Sequence, residues 1–274
     1  MLLPSFTLHR PGSLAGALGL LAEYEDEAAV YAGGTELLLL MKLGMAAPAH
    51  LVDIKGIADL DTLRVADGRL LIGAGVTHRR LERDPLVRRV LPAYARLSAA
   101  VANVRVRNAG SLGGNLCFAE PHSDPATLLT ALDARVELAS VAGRRALPIE
   151  RFIVGTLETA LAPGEIMTRV VADLPPDGTR IGYQRLALRE RPTVNVAVVS
   201  GPSGVRVAVG AAGGRPVRAR RAEEILGADP GAITEAADAA SEAPDAKDDN
   251  EASAEYKRHL VHVLFRRAVA QTRR

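Results

Sequence analysis

Residues 108–124 read NAGSLGGNLCFAEPHSD. The stretch sets a paired glycine, Gly113-Gly114, among small hydroxyl and amide neighbours, then adds a lone cysteine and a carboxylate. Adjacent glycines permit a backbone turn with positive φ and let another molecule approach the chain closely. An upstream segment, Ala32-Gly33-Gly34-Thr35-Glu36, repeats the arrangement. Both follow apolar runs, so both are expected as turns presented by a rigid scaffold. Successive backbone N–H groups in such a turn form a concave nest for phosphate oxygens and need no lysine. Thr35, Ser111 and Asn115 add hydroxyl and amide donors. The joint pattern predicts two turns clamping one phosphate-bearing cofactor, whereas either pair alone reads as a plain tight turn.

The bulk numbers narrow the alternatives. The 274 residues fit one large domain or two ordinary ones, and 48% hydrophobic residues supply an ample core. Aromatic residues make up only 3%, with no Trp, so the core must be built from Leu, Val, Ile and Ala. That scarcity argues against a nucleic-acid stacking surface. The net charge of +2, from 34 basic and 32 acidic residues, argues against an electrostatic sleeve for nucleic acid. The single cysteine, Cys117, excludes an intramolecular disulfide and an all-cysteine metal or iron–sulfur site within this sequence. The six histidines are scattered without a metal-ligand pattern, so no metal is expected. No signal peptide and no membrane span is read, and a cytoplasmic location is expected.

Taken in order, an extended piece around Phe6 and Leu8 precedes a helix capped by Ser13, with Leu14, Ala17, Leu18 and Leu21 on one face. Val30-Tyr31-Ala32 is a short strand entering the first glycine turn, Leu37 to Leu43 a helix, and Leu51 to Ile54 a second strand. Asp67-Gly68 between apolar runs predicts a hairpin. Thr77 caps a helix around Leu81, and Leu91 to Val101 continues helically. After the second glycine turn, Pro125 opens a helix through Leu132, and Ala134 to Leu138 alternates as a strand. A boundary is placed near residue 170. Beyond it come strands at 180–188, 194–200 and 205–211, helices at 218–226 and 231–240, an acidic loop at 241–250, and a closing amphipathic helix at 255–273. This makes a separate α+β domain.

Other motifs carry less. Gly73-Ala74-Gly75 lacks the third glycine of a dinucleotide fingerprint and reads as a strand-end turn. No P-loop is present. Cys117 as a nucleophile needs a partner base and an electropositive setting. His122 is near in sequence, but a buried small residue beside a glycine turn is the reading preferred.

The residues AGGTEL (32–37), NAGSLGGNLCFAEPHSDPATLLTALDA (108–134) and PGEIM (163–167) closely resemble the FAD-binding medium subunit, or domain, of molybdenum hydroxylases such as xanthine dehydrogenase and carbon monoxide dehydrogenase. The resemblance covers nearly the whole chain, and S-x-G-G-N followed by Asp nine residues later is its most specific part. It implies an α+β fold of the vanillyl-alcohol-oxidase (PCMH) type. FAD would lie between two subdomains, about 1–56 and 57–170, followed by a C-terminal α+β domain at 171–274.

The resemblance also implies the contacts. Val30, Tyr31, Ala32, Gly33, Gly34, Thr35, Glu36 and Leu37 would wrap the diphosphate and ribose. Ser111, Leu112, Gly113, Gly114 and Asn115 would supply a second set of backbone donors. Asp124 would meet a sugar or ribityl hydroxyl, its other reading being a helix N-cap before Pro125. Val101 and Ala102 would lie near the flavin, with Val101 where the xanthine enzymes have an aromatic. Ile166 or Met167 would lie against the isoalloxazine. Asn195 stands where some members carry a lysine. A cysteine-bearing loop for an extra cluster, as in the 4-hydroxybenzoyl-CoA reductase subgroup, is not present.

The implied function is that of the electron-output subunit of a three-component oxidoreductase. A large subunit would carry molybdopterin and a small one [2Fe–2S] clusters. FAD on this chain would pass electrons to an acceptor such as NAD⁺, a quinone or O₂. No side chain is assigned as catalytic, since the redox chemistry belongs to the cofactor. The alternatives are a stand-alone FAD-dependent oxidase or reductase of the same fold, and a nucleotide binder without redox function.

Overall fold

The structure, a computed structural model, describes residues 3–188 and 191–273. It opens with β1 (Thr7–His9), α1 (Leu14–Tyr24), β2 (Ala28–Tyr31), α2 (Leu37–Lys42) and β3 (His50–Asp53). The three strands form a parallel sheet in the order β1-β3-β2. The Ser13 hydroxyl caps α1, accepting from the Gly16 N–H at 3.1 Å. Leu14, Ala17, Leu18 and Leu21 are buried along one face of α1, as the 3.6-residue period requires.

The next unit is a five-stranded antiparallel sheet in the order β4-β5-β10-β6-β7. Its strands are β4 (Leu63–Ala66), β5 (Arg69–Gly73), β6 (Arg135–Ser140), β7 (Gly143–Pro148) and β10 (Ile166–Asp173), with a small hairpin of β8 (Ile153–Gly155) and β9 (Glu158–Thr159) beside it. Asp67 and Gly68 both take positive φ (49° and 70°), the geometry of the tight hairpin turn that the Asp-Gly pair predicts. The centre of the sheet is β10, which runs without interruption across residue 170 and stays paired with β5 to Asp173. The change of sheet therefore comes after Asp173.

Between β5 and β6 the chain makes six short helices: α3 (His78–Arg83), α4 (Pro85–Val90), α5 (Pro92–Ala100), α6 (Val104–Ala109), α7 (Leu112–Phe118) and α8 (Asp124–Ala131). A four-residue helix, α9 (Ile149–Phe152), follows β7. Prolines 85 and 92 sit at first helical positions, where a missing N–H costs nothing. All eight residues of α8 are buried, because it is packed between the main core and the last sheet.

That last sheet is antiparallel, β11-β12-β13-β14, from β11 (Arg180–Leu186), β12 (Val194–Gly201), β13 (Gly204–Gly210) and β14 (Val217–Arg218). Helices α10 (Arg220–Ala228), α11 (Ile233–Ser241) and α12 (Ala254–Thr272) cover it and close a second core on Val196, Val198, Val207, Val209, Leu264 and Phe265. Two-residue β14 is too short to leave a sequence pattern. The α+β class is as expected, with a four-stranded C-terminal sheet where three strands were read.

The expected glycine turn at 111–115 is not a turn. Ser111 is the N-cap of α7, its hydroxyl accepting from the Gly114 N–H at 3.1 Å, and Gly113 and Gly114 lie in the first helical turn. A Ser immediately before a helical run is an N-cap signal, and here it governs the local structure over the glycines.

Candidate cofactor site

The main cavity, of about 490 Å³, opens where the three units meet. Its walls are the turn between β2 and α2, the corner between α5 and α6, the start of α7, the segment Glu120–Asp124, the approach to β10, and Arg191-Pro192 ahead of β12. Of the residues expected at the site, Val30, Ala32, Gly33, Gly34, Thr35, Glu36, Leu37, Val101, Ala102, Ser111, Gly113, Gly114, Asn115, Asp124, Ile166 and Met167 line it. Tyr31, Leu112 and Asn195 do not. The Tyr31 ring turns away under the Lys55 ammonium, 3.6 Å from its centroid. Leu112 is fully buried in the main core. Asn195 lies behind Asp124, donating to its Oδ1 at 3.3 Å.

The two glycine segments differ in their backbone donors. Among the described residues, the N–H groups of Gly33, Gly34, Thr35, Glu36 and Leu37 reach no protein acceptor. In α7 the corresponding groups are all engaged. Leu112 N–H donates to the Val76 carbonyl (2.9 Å), Gly113 to Ala74 (2.9 Å) and Asn115 to Ser111 (3.0 Å), and Gly114 donates to the Ser111 hydroxyl. Of the expected second set of free backbone donors at 111–115, four are thus taken up by the protein, and among the described residues the Ser111 N–H alone reaches no protein acceptor. Gly113 is glycine for packing, since a Cβ there would lie 2.5 Å from Ala74 Cβ and 2.7 Å from its carbonyl oxygen. Gly34 has φ of +68°, a conformation that glycine adopts without penalty, and that kink turns the run of N–H groups.

The electrostatics point the same way. Among the described residues, four carboxylates line the cavity (Glu36, Glu120, Asp124, Glu165), and Arg191 is the only Lys or Arg that does. Arg191 bridges Glu36 Oε1 (3.2 Å) and Glu120 Oε2 (3.3 Å). A phosphate group entering here meets N–H dipoles rather than unpaired cations. The opposite wall, with Val101, Leu161, Ile166 and Met167, is apolar and suits a flat ring system. Ala102 holds the corner between α5 and α6 with a positive φ of 39°.

Asp124 is 4% exposed. Its Oδ1 accepts from the Tyr183 hydroxyl (2.5 Å) and the Asn195 amide (3.3 Å), and its Oδ2 is 3.0 Å from the Arg185 guanidinium. Burial raises its pKa, opposed by Arg185, Tyr183 and Asn195. The N-cap of α8 is Ser123, and Asp124 is the first helical residue, so the N-cap reading of Asp124 is corrected.

Several lining residues were not anticipated. His78, first residue of α3, is 2% exposed, and burial, then Arg107, lowers its pKa to about 4, so it is neutral at pH 7. Glu120 and His122 form a 2.8 Å pair on the wall. Nothing in a linear scan marks these, because their partners (Arg107, Arg191, Asp249) come from remote segments. Cys117 lines the cavity with its thiol pushed up to about 12 by burial, which fits an inert thiol rather than a nucleophile. Among the described residues no cluster of three or more His, Cys, Asp or Glu can hold a metal. Nor, among the described residues, is any helix long and apolar enough to cross a membrane.

Residues 4–175 match the model of the FAD binding domain in molybdopterin dehydrogenase, and residues 192–272 that of the CO dehydrogenase flavoprotein C-terminal domain. The chain belongs to the family of FAD-binding medium subunits of molybdenum hydroxylases. As a member it is an FAD-binding flavoprotein component of an oxidoreductase. It is 31% identical to the carbon monoxide dehydrogenase medium chain of Afipia carboxidovorans, covering 98% of this chain and 97% of that one. It is 35% identical to the nicotine 6-hydroxylase medium subunit of Paenarthrobacter nicotinovorans, covering 99% and 98%. Among solved structures it resembles quinoline 2-oxidoreductase from Pseudomonas putida 86, with TM-score 0.92, 30% identity and coverage of 100% and 99%.

The cavity fits the family's cofactor. Five adjacent N–H groups without protein partners face a wall of apolar side chains across the opening, and a buried carboxylate stands beside it. A diphosphate, a ring system and a polyhydroxyl chain each find a matching surface.

Proposed function

We propose that this chain holds FAD as the electron-output component of a multi-subunit molybdenum hydroxylase. In this reading a large molybdopterin subunit oxidises the substrate and a small subunit carries [2Fe–2S] clusters. FAD, when bound, accepts single electrons and releases pairs to an external acceptor, here NAD⁺, a quinone or O₂. The observation that carries the reading is the run of unpartnered N–H groups from Gly33 to Leu37 on the cavity wall. These residues are half-buried, so their N–H groups are open to an acceptor that enters the cavity, and a diphosphate satisfies several at once.

The residues have separate tasks. Gly33 to Leu37 bind the diphosphate through the backbone. Ser111, Gly113, Gly114 and Asn115 shape the facing wall and set its distance. Asp124 accepts a ribityl or sugar hydroxyl, and Val101, Ala102, Ile166 and Met167 form the bed for the isoalloxazine. Tyr31, Leu112 and Asn195 support these residues from behind. The family's organisation would place the FAD-binding unit in residues 1–170, as subdomains of about 1–56 and 57–170, with residues 171–274 as the C-terminal unit. That the relatives are medium chains and subunits supports a complex over a stand-alone flavin oxidase.

The test is reconstitution. The purified chain should take up one FAD, and co-purified partner subunits should carry molybdenum and iron and reduce that flavin when substrate is added. A chain that takes up no flavin, or a lone active flavoprotein without metal-bearing partners, would contradict the proposal.

A further inference from the structure

Three side chains of the wall segment Glu120–Asp124 are paired with residues that lie beyond position 180. Glu120 Oε2 is 3.3 Å from Arg191. His122 Nε2 is 3.4 Å from Asp249 Oδ2, which is itself paired with the 2%-exposed Lys257 at 2.5 Å. Asp124 is held by Tyr183 and Arg185 of β11 and Asn195 of β12. Glu120, His122 and Asp124 all line the cavity, whereas Tyr183, Arg185 and Asn195 do not.

The Asp124 carboxylate is the most constrained of these. An ionised carboxylate offers about four acceptor sites. Both sites on Oδ1 are filled, by Tyr183 and Asn195, and Arg185 fills one on Oδ2. One acceptor site on Oδ2 is left, and its direction is fixed because the other three bonds fix the carboxylate plane. A hydrogen bond to an ionised group is short and strong, and the 2.5 Å contact from Tyr183 is of that kind.

We infer that Tyr183, supported by Arg185 and Asn195, is a positioning residue for the cofactor: through Asp124, the C-terminal sheet sets FAD affinity without touching FAD. The inference rests on the proposal that Asp124 receives a cofactor hydroxyl. It makes the C-terminal unit a working part of the flavin site rather than a cover for it. It also accounts for a half-buried tyrosine whose hydroxyl is spent on a buried acid, an arrangement that a simple packing surface would replace with apolar side chains.

The test is FAD titration of the full-length chain after flavin removal, followed by fluorescence quenching. Tyr183→Phe removes only the hydroxyl and should weaken FAD binding about tenfold. Asp124→Asn should weaken it comparably, and adding Tyr183→Phe to Asp124→Asn should change the affinity by less than about twofold, since the two act in series. Arg206→Ala is the control. It breaks another contact between the C-terminal sheet and the rest of the chain, Arg206 to Asp133 at 3.0 Å, at residues that do not line the cavity. It should leave FAD affinity unchanged.

Tyr183→Phe binding within twofold of wild type would overturn the inference. So would independent, multiplying effects of the two substitutions, or an Arg206→Ala loss as large as that of Tyr183→Phe. A wild-type chain that bound no FAD would sink the cofactor reading itself, and this inference with it.

Discussion

The segments Gly33–Leu37 and Ser111–Asn115 carry nearly the same short signal in sequence, and they treat their backbone donors in opposite ways. In the first, five consecutive N–H groups have no protein acceptor among the described residues. In the second, every N–H from Leu112 to Asn115 already has one, on the strand-end turn after β5 or on the helix cap Ser111. In the proposed reading the first is a ligand surface, with Gly34 at a positive φ. The second is a buttress whose glycine lets α7 press against Ala74. A paired glycine therefore reports that the backbone comes close to something, and only the hydrogen-bond accounting says whether that something is a cofactor or the protein itself.

The comparison can be broken experimentally, starting where the effect is largest. Gly113→Val should destabilise the flavin-free protein by about 1–3 kcal/mol, the range for overpacking a rigid site, and lower its melting temperature by roughly 2–12 °C. A flavin-free protein that melted normally while losing FAD affinity would show that Gly113 serves the cofactor instead.

A matched pair of smaller changes tests the division of labour. Ser111→Ala removes the α7 cap and should cost about 1 kcal/mol of stability. Helix α2 has no side-chain cap to lose. Thr35→Ala should therefore leave melting within about 1 °C while weakening FAD binding by a few-fold, on the scale of one net hydrogen bond. Calorimetry of the flavin-free variants, together with FAD titration, distinguishes the two.

The pH dependence concerns the wall between the segments. The hydrogen bond to Glu120 raises the pKa of His122, against burial, with Glu120 and Asp249 adding attraction. A raised folded-state value means that the folded protein binds the proton more tightly. The contribution of His122 is therefore complete below its ordinary value of 6.5, and it is lost as pH rises through the raised one. Urea melts of wild type should show a stability decrease above pH 6.5 that His122→Gln lacks; parallel pH profiles would remove His122 from this role.

The smallest effect concerns Cys117. With its thiol at about 12, iodoacetamide at pH 8 should modify well under one equivalent in the native protein, by mass spectrometry, and a full equivalent after unfolding. Rapid native labelling would reopen the nucleophile reading.

Much of this was legible in the chain itself. Ser13 and Thr77 announce their helices, Asp67-Gly68 its hairpin, and the spacing of Leu14, Ala17, Leu18 and Leu21 the buried face of α1, because capping, turn geometry and helical period are local. The α7 helix was hidden because two glycines weigh against a helix, while the packing on Ala74 that requires one of them is remote in sequence. Strand β10 escaped because its first three residues are all buried and its later alternation sets Arg169 and Val171 against Thr168, Val170 and Ala172, which is no clean apolar–polar pattern. At the site, Gly33 to Leu37 could be read from one segment. His78, Glu120 and Arg191 could not, since each owes its place to pairings that span tens of residues. Asp124 was found as a site residue, but its three partners, Tyr183, Arg185 and Asn195, belong to strands whose register no local pattern states.

The central claim is that the diphosphate rests on the backbone of the first segment and not of the second. Amide hydrogen exchange of the full chain, with and without FAD, tests it most directly. The account predicts that the amides of Gly33 to Leu37 exchange rapidly without FAD and become strongly protected with it, while those of Leu112 to Asn115 are protected in both conditions. Protection by FAD at Leu112 to Asn115, with Gly33 to Leu37 unchanged, would contradict it.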